Sequence, residues 1–143
     1  VTKIPPAILI YGVLGLVPFL APPMIGVAMP TLADYAATAL AAYGALILSF
    51  LGGARWGLAI GKPAPNVAVI SLAMLPTLVG LALLMLPTGT RTAQLIGIAL
   101  ALILHWVWDW RGTDLPPWYG RLRTILTIGA VAGLLAGAVA LPP

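Results

Sequence analysis

Residues 34–55 read DYAATALAAYGALILSFLGGAR, and between Asp34 and Arg55 no charged side chain interrupts the run. At about 1.5 Å of rise per residue, a helix over positions 35–54 covers about 30 Å, the thickness of a bilayer's hydrocarbon core. The same reading extends outward. No Asp, Glu, Lys or Arg lies between Lys3 and Asp34, Lys62 and Arg91, or Arg91 and Asp109, nor after Arg123. The chain is therefore expected to be all-α: a polytopic membrane protein, a bundle of five transmembrane helices forming one domain over 1–143. The expected helices are 5–20, 33–60, 66–86, 91–110 and 117–141.

Composition agrees with that solvent. Of 143 residues, 62% are hydrophobic and 7% charged, against about 25% charged in a soluble domain. The net charge of +4 would point to nucleic acid in a soluble protein. Here the basic residues sit between apolar runs, where they orient the chain, and no nucleic-acid partner is expected. Cysteine is absent, which removes disulfides, thiolate nucleophiles and cysteine-ligated metals. Lys3 followed by the apolar stretch Ile4 to Leu20 also fits a cleaved signal peptide, but no A-x-A site follows directly, so it is read as the first span.

Proline and polar residues punctuate the spans. Pro5 or Pro6 suits a first helical turn, and Pro18 is expected to kink or end that helix. The stretch Ala21 to Pro30, with Pro22, Pro23 and Pro30, reads as an apolar, non-helical connector. Thr31-Leu-Ala-Asp34 resembles a capping box at the start of the second helix. Lys62-Pro-Ala-Pro-Asn66 is a turn, Pro76 falls in mid-helix, Pro87-Thr-Gly-Thr90 is the next turn, and Asp114 or Thr113 is positioned to cap the last helix.

Lys3, Arg55, Lys62, Arg111, Arg121 and Arg123 fall on the N-terminal side of the bundle and only Arg91 on the other. The positive-inside rule then places the N-terminus in the cytoplasm and the C-terminus in the periplasm of a bacterial inner (cytoplasmic) membrane. All five tryptophans, Trp56, Trp106, Trp108, Trp110 and Trp118, share the basic side as interface anchors.

Few residues carry chemistry. Arg55 lies about 10 Å below Lys62 by helical rise and must either snorkel to the headgroups or pair with Asp109 at the same depth. His105 stands one turn before Asp109 on the same face, a polar position suited to a structural hydrogen bond. A single histidine excludes bis-histidine haem and a zinc triad within one chain. Gly53, Gly57 and Gly61 form one small-residue stripe and Gly129, Gly133 and Gly137 another, and both are expected at helix-packing interfaces. The terminal helix is the better candidate for docking a foreign helix. No phosphate-binding glycine loop, G-x-S-x-G elbow or H-E-x-x-H is present, so the chain is not expected to be an enzyme. Five spans do not divide into two equal inverted repeats.

The stretch Tyr43-Gly-Ala-Leu-Ile-Leu-Ser-Phe-Leu-Gly-Gly-Ala-Arg-Trp-Gly57 resembles a family of small five-helix bacterial membrane proteins of unknown function, which includes the mitochondrial transmembrane protein sixty-nine. Trp118-Tyr-x-x-Leu-Arg-x-x-Leu-Thr127 is similar to that family as well. The resemblance implies an energy-transducing membrane and brings no catalytic residues.

Two functions follow as expectations. The first is a non-catalytic accessory subunit of a larger respiratory or photosynthetic complex, packed against membrane lipids and other transmembrane subunits. Such a subunit needs no intrinsic cofactor but has room for a bound lipid, quinone or pigment. The alternative is a small-molecule binding or transport protein with a cavity near Arg55, His105 and Asp109.

Overall fold

The computed structural model describes residues 3–87, 89–112 and 114–142. Among these the chain is helical, with no strand, and forms five spans long and apolar enough to cross a membrane. The first span is built from α1 (Pro6–Leu14) and α2 (Val17–Ala28), and a 3₁₀ turn (Pro30–Leu32) leads into α3 (Ala33–Ile60). The remaining spans are α4 (Val67–Leu84), α5 (Arg91–Arg111) and α6 (Tyr119–Ala140).

The expected connector over Ala21 to Pro30 is corrected: α2 continues through Pro22 and Pro23 to Ala28. The interruption lies earlier, at Gly15 and Leu16. Pro18 cannot donate to the carbonyl of Leu14, and its ring crowds that carbonyl, so the helix breaks one turn ahead of it. Tyr43 then donates its hydroxyl to the Gly15 carbonyl at 2.8 Å and ties the break to α3. Pro22 and Pro23 lack the N–H groups that would have served the carbonyls of Pro18 and Phe19. The Phe19 carbonyl faces Gly133 of α6 so closely that a Cβ there would strike it. Neighbouring helices commonly take up backbone groups freed in this way within a membrane.

Two of the three following helix starts depart from expectation, and that of α4 does not. The 3₁₀ turn runs straight into α3, so Thr31 makes no side-chain cap. Asn66 caps α4, its Oδ1 accepting from the backbone of Ala68 at 2.9 Å and Val69 at 3.4 Å. No side chain caps α6, because Asp114 is engaged elsewhere, and Thr113 lies outside the described residues.

The long α3 is the central helix and packs against α2, α4, α5 and α6. Leu40 and Leu48 meet Leu95, Ile98 and Leu102 of α5, Leu134 of α6 and Phe19 of α2 in the core. By contrast α1 has no buried residue and α4 only Ala73 and Gly80. The outer faces carry exposed leucine, isoleucine and valine, the surface that lipid requires.

Candidate functional site

At the N-terminal end of the bundle, three spans bring their charges to one point. Asp109, buried near the end of α5, accepts from two guanidinium groups. Arg55 Nε of α3 lies 2.8 Å from Oδ1, and Arg123 Nε of α6 lies 2.7 Å from Oδ2. Arg55 also donates Nη2 to the Trp108 carbonyl at 2.8 Å and sits 4.6 Å from the centroid of the Trp108 ring. Arg55 is thus turned inward onto Asp109 and does not snorkel. Its charge is met by a carboxylate, a carbonyl and an aromatic face.

Two arginines against one aspartate leave one positive charge in surplus if His105 is neutral. Its Nδ1 is 3.4 Å from Asp109 Oδ2, the oxygen that Arg123 also meets, without the alignment of a hydrogen bond. The polar partner expected of His105 is thus Asp109, held in a long contact, and the imidazole packs against the Trp108 ring at 5.3 Å between centroids. Four buried polar atoms have no partner among the described residues: both ring nitrogens of His105, Nη2 of Arg123 and Oγ1 of Thr127.

Arg123 and Thr127 line a cavity of about 580 Å³. Its other walls are Tyr11, Gly12 and Gly15 of α1 and its break, Tyr43, Ile47 and Ala54 of α3, and Leu122 and Leu126 of α6. Tyr11 and Phe50, 75% and 71% exposed, stand at its edge, so the cavity opens sideways between α1 and α3. Of the three residues near which a cavity was expected, Arg55 lines a smaller recess of about 200 Å³, and His105 and Asp109 line neither that recess nor the larger cavity. Arg55 lines that recess together with Lys62, Asn66, Arg111 and Asp114. There Lys62 Nζ meets Asp114 Oδ2 at 2.6 Å, and the lysine ammonium holds the Asp114 carboxyl below its ordinary range.

The glycine stripes separate. Gly129 rests on Leu16, Gly133 on the backbone of Phe19, and Gly137 on Leu40. On α3, Gly53 and Gly57 have open space where a Cβ would stand, and Gly61 meets only its own helix. The expected packing of the first stripe within the bundle is corrected. The α3 glycines that do pack are Gly44, against Ile98, and Gly52, against Ala73 and Pro76. Among the tryptophans, Trp56 and Trp110 are exposed, Trp118 is half-buried beside Tyr119, and Trp106 donates to Thr124 Oγ1 at 2.9 Å.

Arg123 and Thr127 were not singled out from sequence, because Arg123 was absorbed into the count of interfacial charges. The available signal was spacing: Tyr119, Leu122, Arg123, Leu126, Thr127 and Ala130 recur at three and four residues and so share one helix face. Three of those six positions, Tyr119, Arg123 and Thr127, carry a polar group on a face that turns inward.

Residues 4–139 match the family described as "Protein of unknown function (DUF3429)". The chain is similar to "Transmembrane protein 69" of Xenopus tropicalis, 37% identical over 139 residues, covering 94% of this chain and 54% of that protein. The Mus musculus protein of the same name is 31% identical over 128 residues, covering 81% of this chain and 49% of that one. The chain thus spans about half the length of these curated relatives. No solved structure matches it.

Proposed function

The chain belongs to the DUF3429 family, and we propose that it is a non-catalytic membrane protein that holds a small amphipathic molecule in the cavity between α1, α3 and α6. The observation that carries this reading is the pairing of an apolar, laterally open cavity with two residues lining it, Arg123 and Thr127, each of which holds a buried polar atom, Nη2 and Oγ1, that has no partner among the described residues. Its volume of about 580 Å³ lies within the roughly 300–1,000 Å³ typical of small-molecule sites. An apolar wall with a few convergent polar groups is the usual make-up of such sites. In this proposal the membrane is the bacterial inner membrane, with the N-terminus cytoplasmic. Single cysteines introduced at Ala64 and Pro142 should then label from opposite faces, Ala64→Cys from the cytoplasm.

Mild-detergent purification followed by native mass spectrometry tests the binding. A substoichiometric to stoichiometric organic adduct is expected, reduced severalfold in Ala54→Phe, which places a ring in the cavity from an exposed position on its wall. Equal adduct in both proteins would overturn the reading.

A second reading, an accessory subunit of a respiratory or photosynthetic assembly, is favoured by the outward-facing Gly53 and Gly57, which leave a flat strip on α3. Replacing both with leucine should leave folding intact and abolish recovery of a partner complex from native membranes. Equal recovery from both proteins would remove this reading.

A further inference from the structure

Resting on the cavity-binding reading, we infer that the occupant is a single-chain amphiphile with a compact anionic head, a carboxylate or a phosphate monoester, seated between Arg123 and Thr127. The first ground is charge. Arg55, Arg123 and Asp109 sum to one surplus positive charge, with Asp109 3% and Arg123 4% exposed. A buried charge without full compensation is costly, and an anion in the cavity supplies the missing one.

The second ground is hydrogen bonding. Arg123 gives Nε to Asp109 and keeps Nη2 unpartnered, while the Thr127 hydroxyl, 7% exposed as a residue, is also unpartnered. Both residues line the cavity. A guanidinium N–H only donates, and a hydroxyl can donate as well, so the complementary head is an acceptor. An anionic head accepts both bonds and makes them charge-assisted.

The third ground is depth. Counting from the start of α6 at Tyr119, Arg123 and Thr127 lie roughly 6 and 12 Å along the helix at 1.5 Å per residue. A head reaching them sits below the plane where bilayer headgroups lie, which favours a compact group over a bulky one. Beyond Thr127 the wall is Ala130, Leu102 and Phe19, with no charged group to disturb a tail. The lateral opening between α1 and α3 lets a tail longer than the cavity continue into lipid.

The test measures radiolabelled oleate binding to the detergent-purified full chain, with unlabelled oleate, 1-oleoyl lysophosphatidate and oleyl alcohol as competitors. Oleate should bind, and oleyl alcohol, with the same tail and no charge, should compete at least about tenfold more weakly. Thr127→Val, which removes one hydroxyl at nearly constant volume, should weaken oleate about tenfold. Ala54→Phe should weaken oleate and the alcohol alike. Stronger competition by lysophosphatidate than by oleate would assign the head as phosphate, and the reverse order as carboxylate. Competition by the alcohol equal to that of oleate would overturn the anionic head while leaving the cavity a binding site. No oleate binding, or binding indifferent to Ala54→Phe, would overturn both.

Discussion

The two ends of the bundle treat their polar groups in opposite ways. At the far end Arg91 donates to Gln94 Oε1 at 2.6 Å and to Thr38 Oγ1 at 2.8 Å, and Gln94 passes a bond of 2.9 Å to the Leu83 carbonyl. That chain links α3, α4 and α5, and the Gln94 amide and the Thr38 hydroxyl each find a partner inside the protein. At the N-terminal end Asp109 joins α3, α5 and α6 equally well, yet Arg123, Thr127 and His105 keep buried atoms without partners. Buried polar groups in lipid are expensive unless satisfied. The contrast separates a network consumed by the fold from one that retains bonding capacity beside a cavity.

The comparison breaks most visibly at Asp109. Asp109→Asn leaves two buried guanidinium groups without a counter-charge and should cost about 3–5 kcal/mol, read as loss of expression or a collapsed unfolding temperature in detergent. If the variant folds normally, the cluster is not what holds the N-terminal end together. Next in size is Gly133→Ala, whose methyl group would strike the Phe19 carbonyl and should destabilise by about 1–3 kcal/mol. Gly53→Ala, facing open space, should be neutral or stabilise by up to about 1 kcal/mol through helix propensity. Equal effects of the two alanines on unfolding temperature would erase the distinction between the stripes.

A matched pair of threonines sharpens the contrast at smaller amplitude. Thr38→Val removes an acceptor that Arg91 uses and should cost about 0.6 kcal/mol, the scale of polar pairs inside membranes. Thr127→Val removes a hydroxyl with no partner, so the ligand-free protein should be unchanged or slightly more stable. The smallest effect belongs to the exposed Lys62–Asp114 pair. Because the Asp114 carboxyl titrates below its ordinary range, its contribution is present above the unfolded-state value and fades as pH falls through the folded one. Unfolding temperatures of the wild type and Asp114→Asn should differ slightly near neutral pH and converge as pH falls below the ordinary carboxylate range.

The five spans were legible because charge-free runs of membrane length leave little alternative. The path of the first span was not. Proline rules describe an isolated helix, whereas Phe19's freed carbonyl packs against Gly133, more than a hundred positions later. Arg55 and Asp109 were legible as an acid and a base at one depth. Arg123 was hidden because an arginine four residues into a terminal helix reads equally as an interfacial anchor. The glycine stripes were indistinguishable in sequence, since spacing reports a shared face but not which way that face turns. His105 was placed on the right face, but the arginine from another span that shares its carboxylate oxygen was not foreseen.

The order in which the charged cluster is assembled has a consequence for synthesis. A ribosome delivers Arg55 in the second span and Asp109 in the fourth, so these two can neutralise each other while the chain is still being made. Arg123 enters only with the fifth span, into a site whose carboxylate already has one partner. A chain with four spans thus carries one base and one acid of this cluster, and the second arginine arrives only with the helix that closes the cavity wall.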